Sequence, residues 1–156
     1  MQVINVAFGG TILQDMPIDH LHSMSSGDAF HSSIMTEDSR LFKYFPAKMR
    51  VNSAHHQRID RLGQHLRIIQ VCPDDGCPEA LEHDELPILG LQWHPERLPV
   101  ISASQADDLI TFTADWKKSM NAVVTALKEV DDQTAEMLRG IIHSLFEIAR
   151  GKVKEE

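Results

Sequence analysis

The chain has 156 residues, 42% hydrophobic and 24% charged, which fits one soluble globular domain with a real core. A formal net charge of -8 argues against a nucleic-acid or anionic-membrane surface, where a basic face is expected. No apolar run approaches the ~20 residues of a bilayer span, no basic-then-apolar leader is visible, and two cysteines do not make a disulfide scaffold, so a cytoplasmic setting is expected.

Residues 2–8, QVINVAF, suit a buried strand or a buried helix, and periodicity does not choose; Gly9-Gly10 ends the segment either way. Residues 16–48 are mixed, with SMSSGD loop-like and SRLFKYF able to form one or two helical turns. Arg50-Val51-Asn52-Ser53 reads as a short strand entering a polar loop. Leu66 to Val71 is a β-rich run, Pro73-Asp74-Asp75-Gly76 is a turn signal, and Glu79 to Glu82 reads as the returning strand. Ile88 to Trp93 is the next strand, and such short separations predict an antiparallel or mixed patch of sheet.

The last third changes character. Ser104-x-x-Asp107 is a possible capping box. Leu109, Phe112, Trp116, Met120, Val123, Leu127 and Val130 follow at spacings of three and four, one face of a long helix. A second helix is predicted over Thr134 to Arg150, with Gly151 as its stop. Trp116 and Phe112 are most simply core or interface.

The strand from Ile88 delivers His94, Pro95 and Glu96. A neutral imidazole can take a proton from a thiol, and a carboxylate two residues on can fix its tautomer if the chain turns at proline. On spacing alone the competing reading is a surface turn. Asn52-Ser53-Ala54-His55-His56-Gln57 could hold the polar ends of a small substrate or could be a solvated loop. His20-x-His22 and His55-His56 could donate imidazoles to a metal, but Cys72 and Cys77 stand across a turn without a second pair at zinc-like spacing. On that ground no metal and no cofactor are assigned. Neither cysteine has the basic neighbour or helix N-terminus of a thiolate, and both read as structural.

Four stretches together resemble class I glutamine amidotransferase-like proteins, most closely the gamma-glutamyl-gamma-aminobutyrate hydrolase group. They are Met1 to Ala7 with Gly9-Gly10-Thr11 and Gln14-Asp15; Arg50-Val51-Asn52-Ser53-x-His55-His56-Gln57; Asp75-Gly76 with Glu79-Ala80; and Leu89 to Glu96. The resemblance implies the C-terminal portion of a three-layer α/β fold, a mixed sheet flanked by helices. Residues 1–97 would form a partial domain of this type, with residues 98–156 a helical extension packing on it. QVINVAF should then be a helix, because the family forms one after its nucleophile turn.

The resemblance also implies a Cys-His-Glu triad cleaving a γ-glutamyl amide through a thioester. His94 matches its general base and acid, and Glu96 the group that orients it. Gln2, Asn52, Ser53 and His55 match substrate-holding positions. The family motif reads Gly-x-Cys-Arg-Gly-x-Gln, and Met1-Gln2 are its last two positions, so the nucleophile is expected upstream of this chain. Two readings follow. One is a γ-glutamyl amide hydrolase lacking its nucleophile, inactive alone, completed by an N-terminal-half partner and acting on a small γ-glutamyl molecule. The other is a non-catalytic binding or homo-oligomerisation module of the same ancestry.

Overall fold

A computed structural model describes residues 1–16, 21–23 and 27–98, the side chain of Glu96 excepted, together with Asn121 and Thr125. In chain order the elements are α1 (Gln2–Ala7), β1 (Ile12–Leu13), β2 (Ala29–Met35), a 3-10 turn (Arg40–Lys43), β3 (Lys48–Ser53), β4 (Arg58–Ile59), β5 (Leu66–Val71), β6 (Pro78–His83), β7 (Leu89–Leu91) and a second 3-10 turn (Pro95–Arg97). The chain divides into two compact units, Met1–Glu85 with Leu89–His94, and Leu86–Ile88 with Pro95–Glu156. The capping box, most of the long helix, the second helix and His20 lie outside the described residues, although Asn121 and Thr125 are helical.

The first unit is built on a five-stranded sheet of order β3-β2-β5-β6-β7, and every described pair in it is antiparallel. The hairpin β5–β6 closes at the turn the sequence announced. Cys72 N–H donates to the Cys77 carbonyl and Gly76 N–H to the Cys72 carbonyl, both at 2.9 Å. Gly76 sits at φ +69°, a left-handed conformation that costs a side-chain-bearing residue about 1–2 kcal/mol. Asp75 Oδ1 accepts from Cys77 N–H at 2.9 Å, which fixes the turn and leaves Oδ2 for another partner.

β6 is buried from Glu79 to His83, so both its faces are covered. Strand alternation puts Leu81 and His83 on one face and Ala80 and Glu82 on the other, and the register against β5 shifts at Glu79, between the Ala80–Gln70 and Pro78–Val71 pairs. Glu82 accepts from Arg67 Nε at 2.9 Å and from Arg40 N–H at 3.1 Å, while Arg67 also bonds Asp38 at 2.6 Å. The carboxylate is thus buried with its charge matched.

β2 alternates strictly, but against hydrophobicity. His31 and Ser33 point inward with Ala29 and Met35, while Phe30 and Ile34 are 43% and 40% exposed. Ser33 Oγ accepts from Gln70 Nε2 at 2.8 Å, and Gln70 Oε1 accepts from Trp93 Nε1 at 2.7 Å. A buried polar relay therefore crosses the sheet where an apolar core would be expected.

QVINVA is a helix, as the resemblance requires, with Ile4 and Asn5 buried. Asn5 Nδ2 donates to the Thr11 and Arg61 carbonyls, each at 3.0 Å, and Oδ1 accepts from Gly63 N–H at 2.8 Å. These bonds tie α1 to the small β1–β4 ribbon. The helix also lies directly on β7. A Cβ at Gly90 would stand 2.9 Å from Ile4 Cδ1 and 3.1 Å from Met1 Cα, so any side chain here would push the helix or the Ile4 side chain back. β7 itself is shorter than the Ile88–Trp93 run suggested. Its ladder to β6 ends where Leu91 meets Ala80, and the chain then bends toward His94.

In the second unit, Ile88 is buried, Leu98 N–H closes the Pro95–Arg97 turn on the Pro95 carbonyl at 3.1 Å, and Thr125 Oγ1 donates to the Asn121 carbonyl at 2.9 Å.

Candidate active site

His94 stands three residues beyond the end of β7 and is half-buried. One side chain fixes its main chain at both ends. His94 N–H donates to Asn52 Oδ1 and Asn52 Nδ2 donates to the His94 carbonyl, each at 2.9 Å. Asn52 is fully buried at the end of β3, and Nδ2 also reaches Asp28 Oδ2 at 3.3 Å. Two bonds from one amide resist both translation and rotation of the chain at His94, and so fix the backbone from which the imidazole projects. Trp93, just before it, is anchored through its indole N–H to Gln70.

The loop after β3 is tied down at one carbonyl. Gln57 O accepts from Gln2 Nε2 at 3.3 Å, from Gln92 Nε2 at 3.4 Å and lies 2.9 Å from His55 Nδ1. α1, β7 and the loop thus converge on a single oxygen, and Gln2 comes to the same place as the loop residues. Ser53 is fully buried and donates to the His22 carbonyl at 3.0 Å, which also accepts from His55 N–H at 3.1 Å. Asn52 and Ser53 are therefore not solvated loop residues. Their polar atoms hold His94 and His22.

On the far side of Ser53 is a cluster that sequence spacing did not assemble. Glu79 is fully buried, with Oε1 3.4 Å from His31 Nε2, 3.6 Å from His22 Nδ1 and 4.0 Å from His55 Nε2. His22 Nε2 stands 3.0 Å from Asp75 Oδ2. Burial, reinforced by the Asp75 carboxylate, pushes Glu79 up to about 9. Burial and then His22 hold His55 down to about 4, and burial lowers His31 as well. His22 belonged to the His20-x-His22 pair and Glu79 to the Asp75-Gly76…Glu79-Ala80 motif. His31 carries no sequence signal, since the hydrophobic pattern of residues 29–35 points the other way.

Both cysteines are buried and free. Burial pushes the Cys72 thiol up to about 11, and burial with the neighbouring Glu79 carboxylate pushes Cys77 up further. Neither is an activated thiolate, in agreement with their structural reading. Glu96 lies in the Pro95–Arg97 turn, and its side chain is outside the described residues. No helix among the described residues is long and apolar enough to cross a membrane.

Comparison with known proteins fits this geometry. Residues 1–96 match the Peptidase C26 family. A glutamine amidotransferase-like protein of Lactococcus lactis, YvdE, is 39% identical over 101 residues, covering 62% of this chain and 42% of the relative. Protein NtpR of Enterococcus hirae is 32% identical over 105 residues, covering 62% and 44%. The chain thus spans less than half the length of these curated relatives. A crystal structure of a glutamine amidotransferase from Thermotoga maritima aligns at 17% identity with a TM-score of 0.44, over 96% of this chain and 56% of that one. With residues 1–96 accounted for by the family match, the chain belongs to the peptidase C26 family of class I glutamine amidotransferase-like proteins.

Proposed function

We propose that this chain is the histidine-bearing portion of a γ-glutamyl amide hydrolase, of the gamma-glutamyl-gamma-aminobutyrate hydrolase type. His94 serves as general base and then general acid to a thiol, and Glu96 orients the imidazole from the following turn. The observation that carries this reading is the Asn52 clamp, which fixes the backbone of a half-buried imidazole at both its N–H and its carbonyl. A surface turn has no need of a fully buried amide for that purpose. Gln2, which donates to the Gln57 carbonyl, would meet the γ-glutamyl substrate, while Asn52, Ser53 and His55 would shape the site from beneath. The thiol comes from outside residues 1–156, because Cys72 and Cys77 are buried with their thiols pushed up. Such reduced, buried thiols suit a cytoplasmic setting.

The test is turnover of γ-glutamyl-GABA. Loss of a triad nucleophile typically lowers the rate by about 10⁶, so the chain alone gives none above background. Co-expression with the N-terminal half of a relative carrying Gly-x-Cys-Arg-Gly restores turnover, and His94→Ala removes it again. Turnover by the chain alone that His94→Ala abolishes would refute the division of the site, and restored turnover indifferent to His94→Ala would refute its role.

A second reading, a non-catalytic association module, is favoured by one feature. Val3 and Val6, one turn apart on α1, are 42% and 50% exposed. Light scattering on the purified chain separates the readings: self-association lost in Val3→Ser/Val6→Ser supports the module, and a monomer counts against it.

A further inference from the structure

The cluster around Glu79 poses a hydrogen-bonding problem. His55 Nδ1 is 2.9 Å from the Gln57 carbonyl and His31 Nδ1 is 3.0 Å from the Ser32 carbonyl. A carbonyl only accepts, so both rings carry their proton on Nδ1 and present a bare Nε2 to the interior. His22 repeats the pattern with its nitrogens exchanged. Nε2 donates to Asp75, and Nδ1 faces Glu79. Ser53 Oγ lies 3.3 Å from that Nδ1, but its proton goes to the His22 carbonyl. Three nitrogen lone pairs and a carboxylate therefore point at one another. Among the described residues His31 Nε2, His55 Nε2, Glu79 Oε1 and Glu79 Oε2 are buried without a hydrogen-bond partner. One carboxyl proton can satisfy one nitrogen and leaves the others bare.

We propose that His22 Nδ1, His55 Nε2, Glu79 Oε1 and Cys77 Sγ form a binding site for one divalent transition-metal ion of the zinc class. Their donor atoms all lie within 4.8 Å of one another. Around a tetrahedral ion with bonds of about 2.0–2.1 Å to nitrogen and oxygen, neighbouring donors sit about 3.3 Å apart, or ~3.6 Å where one is sulfur. The 3.6 Å and 4.0 Å from Glu79 Oε1 to His22 and His55 are close to that spacing. Charge supports the same set. Binding would release the Glu79 and Cys77 protons to solvent, and the resulting carboxylate and thiolate would neutralise the dication, so the filled site carries no net charge into the interior. The outer partners are also in place: Asp75 on His22 and the Gln57 carbonyl on His55 are the carboxylate and carbonyl that orient metal-bound imidazoles. His31 packs edge-on against His22, with ring centroids 4.5 Å apart, and so positions that ligand. Cysteine spacing could not reveal this site, because one sulfur suffices and the other ligands come from three separate segments.

The inference stands apart from the amidase reading, since its readout is metal rather than turnover. The full chain is stripped with chelator, checked for folding by circular dichroism, and titrated with Zn²⁺ or with Co²⁺ as a spectroscopic probe. The expected result is one equivalent bound, with a thiolate-to-cobalt charge-transfer band and tetrahedral ligand-field bands. Cys77→Ser removes the charge-transfer band. Glu79→Gln and Cys77→Ser weaken binding more than Asp75→Asn, whose outer-shell loss is about 10–100-fold. His56→Ala, an exposed neighbour outside the cluster, leaves binding unchanged. A folded wild-type chain that takes up no stoichiometric metal overturns the proposal. So does binding that survives both Glu79→Gln and Cys77→Ser.

Discussion

Replacing Asn52 by aspartate changes one atom's chemistry at the joint that holds His94. The amide accepts from His94 N–H and donates to the His94 carbonyl, both at 2.9 Å, and also reaches Asp28 at 3.3 Å. An aspartate keeps the first bond. At the other position it sets an oxygen against the His94 carbonyl and a second carboxylate beside Asp28. Losing a buried bond and leaving its acceptor dry costs about 1–3 kcal/mol. Two unit charges at that separation repel by about 5 kcal/mol at an effective dielectric of 20, less here because Asp28 is partly exposed. The sum is about 3–5 kcal/mol at neutral pH, or roughly 6–20 °C in Tm for a chain of this size. The site also sets the pH dependence. Burial and the neighbouring Asp28 raise the introduced carboxyl above its unfolded value, so the penalty is present at high pH and shrinks as that carboxyl protonates. Asn52→Ala loses the bonds without gaining the charge, and its deficit relative to wild type should not narrow in the same way. Denaturant unfolding of all three proteins from pH 7.5 to pH 5 makes the comparison. An aspartate variant within about 1 kcal/mol of wild type at neutral pH, or a deficit that fails to shrink on acidification, would refute the clamp.

Other perturbations probe the surroundings. Gly90→Ala drives a methyl to 2.9 Å from Ile4 Cδ1 and 3.1 Å from Met1 Cα, and should destabilise by about 1–3 kcal/mol in thermal melts. Gln70→Leu leaves the Trp93 indole N–H unpaired and should cost about 2–3 kcal/mol, whereas adding Trp93→Phe should recover part of it, giving a coupling of about 1 kcal/mol in a double-mutant cycle. His55 is held down to about 4 against an ordinary 6.5, so in chelator-treated protein it contributes stability above pH 6.5 that is lost as pH falls toward 4, about 3 kcal/mol in all. Glu79 acts with the opposite sign, its stability present below pH 4.5 and lost as pH climbs toward about 9. The His55 branch is therefore read as the difference between wild type and His55→Gln, and a difference flat between pH 7 and pH 5 would count against it.

The legible parts of this fold are those where local chemistry and tertiary environment agree. Asp74-Asp75-Gly76 demanded a turn, and the flanking β-rich runs became β5 and β6. β2 was invisible because its face is inverted. Phe30 and Ile34 look outward and His31 and Ser33 inward, so hydrophobic alternation points the wrong way. Residues 2–8 were undecidable by pattern. Only the family resemblance made them a helix, and the Asn5 bonds that hold them there reach across to Arg61 and Gly63. His94 was found, but not what fixes it, because the pairing of Asn52 with His94 joins two strand ends through no sequence rule. The Glu79 cluster was missed for the same reason. Its members are strung from residue 22 to residue 79, and each alone reads as a loop histidine or a strand carboxylate.

The two centres are mechanically one object. Asn52 and Ser53 are adjacent at the end of β3, and strand alternation turns one toward His94 and the other toward His22. The Gln57 carbonyl ties the loop again, accepting Gln2 and Gln92 from the His94 side and His55 from the Glu79 side. Gln92 closes the circuit, since its own N–H donates to the Glu79 carbonyl at 2.9 Å. A carbonyl has two lone pairs, and three donors at 2.9–3.4 Å share them, so a stronger pull by one loosens the others. An ion that fixes the His55 ring on Nε2 sharpens its Nδ1–H bond to Gln57. With the loop held by His55, the Gln2 and Gln92 amides would compete less well for that oxygen.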